Sequence, residues 1–198
     1  ESGRSQLALV VGADALSRVT PHDDPKSAPL FGDAAGAVVV GPVESGGIGP
    51  LVGGFDHQYR ILYSERDDGN VIRMRGRETY SHAVARMSEV ILAALEARGK
   101  SLDDVALLVP HQANIRIVQA VGEKLGIALD RVSVQIADVG NTSAASIPVA
   151  LRREYDAGRL VAMGEIATPL PGVAPNPPAL APYFALAHEL DLPALTHT

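Results

Sequence analysis

Leu107-Leu108-Val109-Pro110-His111-Gln112-Ala113-Asn114 is the stretch on which the reading of this 198-residue chain turns. Residues 105–109 are an apolar run that reads as a strand, and Pro110 ends it. Residues 114–125 read as a helix. Ile115, Val118 and Leu125 recur on one face, and Gly126 stands where a helix stop belongs. A histidine is thus delivered to the carboxyl end of a strand, immediately before a helix. Ligands bind at that position in open α/β sheets. The plain alternative is a histidine that satisfies a loop carbonyl.

Downstream, residues 132–136 read as a strand, 138–141 as a loop, and 142–155 as a helix ending near Gly158. The junction is Gly140-Asn141-Thr142-Ser143-Ala144-Ala145-Ser146-Ile147-Pro148. Asn141 again follows a strand and precedes a helix, which Thr142 or Ser143 is placed to cap. The small side chains let another element approach closely, although Gly-Asn is also an ordinary turn. Two such strand ends, side by side, predict that His111 and Asn141 converge on one cavity. Upstream, residues 78–98 read as a helix on the spacing of Val84, Met87, Ile91 and Leu95, with Gly99 as its stop. Residues 7–11 and 38–40 read as buried strands of a parallel or mixed sheet. Between them lie a proline-broken polar loop (20–29) and Phe31-Gly32-Asp33-Ala34-Ala35-Gly36-Ala37, where the Asp33 carboxylate is expected to satisfy backbone donors. Residues 42–54, rich in Gly and Pro, read as a connector. The alternation of helix and strand gives an α/β class.

Composition narrows the function. A net charge of −6 and a pI of about 5.5 argue against a nucleic-acid partner, which calls for a basic excess. At 46% apolar and 20% charged residues, a globular core is within reach. No apolar stretch approaches the roughly 20 residues of a membrane span. No signal-peptide pattern opens the chain, and Glu1 in place of Met points to a start upstream. There is no cysteine, which excludes disulfides, thiolate metal sites and a cysteine nucleophile within the chain. His111 has no second ligand at metal spacing. His57, His82, His188 and His197 read as surface residues. Arg73, Arg75 and Arg77 form an alternating basic strip that reads as a solvated strand face, or as a hold for a phosphate-bearing arm or an acidic carrier. Residues 161–198 hold seven of the 14 prolines and no Lys or Arg, and read as an irregular tail with a short helix at 183–190.

Four stretches taken in order carry a resemblance: LFGDAAGAVVV (30–40), MRGRETYSHAV (74–84), LLVPHQANIRIV (107–118) and VGNTSAASIPVAL (139–151). Over about residues 7–160 the chain resembles the β-ketoacyl-acyl-carrier-protein synthase III family of the thiolase-like superfamily. The resemblance implies an incomplete thiolase-like α/β fold. Residues 1–42 would end its N-terminal half, 43–160 would belong to its C-terminal half, and 161–198 would lie outside the pattern. It implies an acyltransferase of fatty acid synthesis that performs a decarboxylating Claisen condensation of an acyl-CoA primer with malonyl-acyl-carrier protein. The family's Cys-His-Asn set would place His111 and Asn141 in catalysis, Ala113 and Asn114 along the pantetheine arm, and Arg116 at the docking site of acyl carrier protein. It implies no cofactor beyond these substrates, a homodimer in the intact family member, and a cytoplasmic location. The family's cysteine lies upstream of the matched stretch, so this chain alone is expected to be inactive. A non-catalytic thiolase-like binding or partner protein stays open as an alternative, as does a polyketide starter-unit or hydroxymethylglutaryl-CoA synthase-like enzyme.

Overall fold

The computed structural model describes residues 7–42, 47–49, 51–54, 60–64, 67 and 69–160. Strand β1 (Ala8–Ala15) pairs with β2 (Asp33–Val40) in an antiparallel register that runs from Ala8 opposite Val40 to Ala15 opposite Asp33. Strands β3 (Leu62–Ser64) and β4 (Ile72–Met74) form a second antiparallel pair. Helix α1 (Gly76–Ala97) follows, then α2 (Ile115–Leu125), the single turn α3 (Ile136–Val139) and α4 (Ser146–Asp156). Short 3-10 turns precede and link these elements. No helix among the described residues is long and apolar enough to cross a membrane.

The core is built on α2. Ile117, Val118, Val121 and Leu125 are buried, together with Ile127 and Val132, and Val84, Met87 and Ile91 of α1 pack against them. Burying each large aliphatic side chain contributes about 1.5–3 kcal/mol. The face differs from the one expected: Ile115 is exposed, and Ile117 takes the inward position beside Val118. Asn114 caps the helix by accepting the Arg116 N–H at 2.9 Å, and Gly126, in the left-handed region at φ 69°, closes it.

Several expected strands take other forms. Residues 105–109 and 132–136 meet only at a parallel bridge between Leu108 and Val132, with Leu108 N–H donating to Arg131 O and Ser133 N–H to Leu108 O, each at 2.8 Å. On either side the chain coils into the 3-10 turn Leu129–Arg131 and into α3, so no ladder propagates. The helix expected from 142 begins at Ser146, because Ser143–Ala145 is a 3-10 turn. Strand β1 is neither parallel nor buried: Leu9, Val10 and Val11 are 57%, 52% and 58% exposed. The expected tail at 161–198, with its short helix, lies outside the described residues.

Glycines let the β1–β2 pair lie against the chain that carries Asn141. A Cβ on Gly12 of β1 would sit 2.5 Å from the Ala144 carbonyl oxygen, and one on Gly36 of β2 would sit 2.7 Å from Pro148 Cβ. Asp14 accepts the Ala144 N–H at 3.2 Å across the same contact. The close approach expected of the small-residue run is therefore made by β1 and β2 themselves. Asp33 accepts from the Ser17 N–H at 2.8 Å and the Ser17 hydroxyl at 2.5 Å, as its carboxylate was expected to do. It does so from the first residue of β2, and both donors hold its carboxyl below the usual range.

Candidate active site

His111 and Asn141 line one cavity of about 790 Å³. Two backbone bridges set them there, in place of two complete strands. The Leu108–Val132 bridge anchors the chain that enters through buried Pro110 to His111. A parallel bridge between Phe31 and Asn141 anchors the other side: Gly32 N–H donates to Asn141 O at 2.9 Å, and Asn141 N–H donates to Leu30 O at 2.8 Å. Asn141 thus follows the helical turn α3, and it pairs with the stretch just before β2. Gly140 is required by this geometry. Its φ is 68°, and a Cβ there would crowd Leu30 and Gly32 backbone atoms at 3.3 Å.

The polar atoms around the two side chains are closely partnered. Asn141 Oδ1 accepts the Ser143 N–H at 3.0 Å, which leaves its amide group as the remaining donor. This local bond holds Ser143 at φ 49°, a region few non-glycine residues occupy. Neither Thr142 nor Ser143 caps α4; the Thr142 hydroxyl is buried and makes no hydrogen bond among the described residues. His111 Nδ1 lies 2.6 Å from Ser146 Oγ, which also accepts the Gln112 N–H at 3.2 Å. Burial holds the His111 pKa below its ordinary value, against a smaller opposing effect of the Ser143 carbonyl, and so favours the neutral ring.

A buried network braces this loop from behind. Gln112 Nε2 donates to Pro110 O at 2.9 Å and Ser133 O at 3.2 Å, while its Oε1 accepts the Gln135 N–H at 2.8 Å. Glu154 of α4 is fully buried and accepts from Ser133 Oγ at 2.5 Å and Gln135 Nε2 at 2.8 Å. It also pairs with Arg159, and that hydrogen bond does most to draw the Glu154 carboxyl down to about 2. Sequence reading missed Gln112, Glu154 and Ser146 as framework. An Arg-Arg-Glu-Tyr run carries no sign of burial, and two of the three donors to its glutamate, Ser133 and Gln135, lie 21 and 19 residues away.

The other proposed site residues sit on the same cavity. Ala113, Asn114 and Arg116 line it, with Arg116 exposed at the first turn of α2. Arg77 lines it too, from the first turn of α1. The basic strip is therefore not one strand face: Arg73 is in β4, Arg75 pairs with Glu78 at 3.4 Å, and Arg77 turns to the cavity. Asp24, Lys26 and Ser27 from the proline-broken loop also line it, a contribution no sequence pattern announced. His82 is half-buried in α1, while His57, His188 and His197 lie outside the described residues.

Comparison with known proteins agrees with the motifs. The family described as 3-oxoacyl-[acyl-carrier-protein (ACP)] synthase III matches residues 1–54, and its C-terminal part matches residues 95–168. The β-ketoacyl-[acyl-carrier-protein] synthase III of Staphylococcus haemolyticus is 42% identical over 162 residues, covering 81% of this chain and 51% of the relative. That of Geobacillus kaustophilus is 45% identical over 166 residues, with the same coverage. Among solved structures, 3-oxoacyl-[acyl-carrier-protein] synthase III from Aquifex aeolicus superposes with a TM-score of 0.76 at 40% identity, covering 81% of this chain and 52% of that one. The priming β-ketosynthase of the R1128 polyketide pathway gives 0.75 at 37% identity, again over 81% and 52%. The chain thus spans about half the length of the relatives it matches, and within that span it belongs to the 3-oxoacyl-[acyl-carrier-protein] synthase III family, with its thiolase-like fold.

Proposed function

We propose that this chain carries the decarboxylation half of a β-ketoacyl-acyl-carrier-protein synthase III site, and that residues 1–42 and 43–160 belong to the two successive halves of that fold. The observation that carries the reading is the pairing of His111 and Asn141 on one cavity, with the Asn141 carbonyl oxygen already engaged and its amide left to donate. In the reaction, the bond between the malonyl α-carbon and its carboxylate breaks. Carbon dioxide leaves, and the electron pair moves toward the thioester oxygen as an enolate. Two neutral donors aimed at that oxygen, a His111 ring N–H and the Asn141 amide, stabilise the charge without becoming charged themselves. Removing one such donor typically slows a reaction by about 10²–10³-fold. The enolate carbon then attacks an acyl group on a cysteine. This chain holds none, so condensation needs the half of the fold that bears it. No metal or cofactor enters this scheme.

The cavity also fits a pantetheine thioester. Ala113 and Asn114 line it beside His111, and Arg77, Lys26 and Arg116 supply positive charge around it in a chain of net charge −6. Arg116, exposed on α2, is the docking residue for an acidic carrier protein in this reading; a rim charge acts chiefly on association. In the intact enzyme the partners are acyl carrier protein and a second copy of the subunit, in the cytoplasm. The test is a chimera in which residues 7–160 replace the matching stretch of the Staphylococcus haemolyticus relative. It should form acetoacetyl-carrier protein from acetyl-CoA and malonyl-carrier protein. Arg116→Glu should weaken use of the malonyl-carrier protein while sparing acyl transfer from acetyl-CoA. A folded but inactive chimera would refute the reading, and equal loss with both substrates would remove the docking role.

A further inference from the structure

The His111 ring has two nitrogens, and only a protonated one can donate into the cavity. We propose that Ser146 is a positioning residue whose hydroxyl donates to His111 Nδ1 and thereby holds the ring as the Nε2–H tautomer. This deepens the reading above, because it names what makes His111 a donor. The argument is one of proton accounting. Ser146 is 1% exposed, so its hydroxyl is shielded from bulk solvent. Its oxygen accepts the Gln112 N–H at 3.2 Å, and its own single proton needs an acceptor. Among the described residues, the acceptor it meets is His111 Nδ1, at 2.6 Å. The polarity of the Gln112 contact is fixed, since a backbone N–H can only donate. Gln112 is itself held on three sides by backbone groups of fixed polarity: its Nε2 faces the Pro110 and Ser133 carbonyls and its Oε1 faces the Gln135 N–H. The chain of donors therefore runs one way, from Gln112 N–H to Ser146 Oγ to His111 Nδ1, and leaves the proton on Nε2.

The Ser143 carbonyl favours the charged ring, and burial, the larger effect, favours the neutral one, in which a single nitrogen carries the proton. Were the proton on Nδ1 instead, the Ser146 hydroxyl would lose its acceptor at a buried position, at a cost comparable to a lost hydrogen bond.

The experiment reads the tautomer directly in the 198-residue chain labelled with [15N]histidine, by two-bond 1H–15N correlation above pH 7. His111→Asn identifies the His111 signals by their disappearance. The expected spectrum has an unprotonated Nδ1 and a protonated Nε2. Ser146→Ala should move the tautomer ratio by roughly tenfold toward Nδ1–H, the worth of about one hydrogen bond, and Ser146→Thr, which keeps the hydroxyl, should restore the wild-type pattern. A protonated Nδ1 in the wild-type chain would overturn the proposal with no variant needed. A folded Ser146→Ala with an unchanged tautomer would also overturn it. The spectrum involves no turnover, so it fails or succeeds separately from the chimera's activity.

Discussion

Glu154→Gln should destabilise the chain at pH 7 and do so far less at pH 2.5. Glu154 is fully buried, and its carboxylate is held by Arg159, Ser133 and Gln135. These partners overcome the burial penalty and bring its pKa from 4.5 to about 2. A carboxyl whose folded value is depressed contributes stability that is complete above its unfolded value. That contribution is lost as the pH falls from 4.5 through about 2. The interval corresponds to roughly 3 kcal/mol. Arg159 makes the largest single contribution and is half exposed, so solvent screening reduces the expected effect to about 2 kcal/mol. With a urea dependence of about 2 kcal/mol per molar, the unfolding midpoint should fall by about 1 M at pH 7. Urea titrations followed by far-UV circular dichroism at pH 7 and pH 2.5 measure both limits. At pH 2.5 the wild-type carboxyl is partly protonated, and the two curves should draw together. An unchanged midpoint at pH 7 would refute the reasoning. An equal loss at both values would do the same, because it would place the cost in packing and not in the charge.

Three further outcomes follow from the same geometry. Gly12→Ala would drive a Cβ to 2.5 Å from the Ala144 carbonyl oxygen, so it should cost about 1–3 kcal/mol in urea unfolding; a neutral result would show that the Ser143–Ala145 turn yields freely. The purified chain alone should form no acetoacetyl-carrier protein from acetyl-CoA and malonyl-carrier protein, because it has no cysteine to accept the acyl group, and product above background would contradict this. Sedimentation velocity should show concentration-dependent self-association through the exposed Leu9, Val10 and Val11 of β1, and Val10→Lys should suppress it; an unchanged distribution would place the contact elsewhere.

The residues of the candidate site were more legible than the elements that carry them. His111 and Asn141 stand out because each sits in a short run whose neighbours are dictated by close packing: buried Gln112 on one side, Gly140 and the small residues to Ser146 on the other. The elements around them were misread for a physical reason. An apolar run such as 105–109 is compatible with a strand, but a strand needs a partner along its length, and here only Leu108 and Val132 meet. The burial expected of β1 failed similarly, since apolar character does not specify what covers it, and over half the surface of Leu9 remains exposed. Ser146 was illegible because its partner His111 lies 35 residues away, and Glu154 because, besides nearby Arg159, its burying donors Ser133 and Gln135 lie 21 and 19 residues away, which no local pattern encodes.

The central claim is that His111 and Asn141 act on decarboxylation, and one rate isolates it. In the chimera, replacing the relative's nucleophilic cysteine with alanine removes acyl transfer and leaves carbon dioxide release from malonyl-carrier protein as the only chemistry to measure. The account predicts that His111→Ala and Asn141→Ala each slow that release by about 10²–10³-fold, as expected for loss of one donor to the developing enolate oxygen. Release at the parent rate in both folded variants would contradict it.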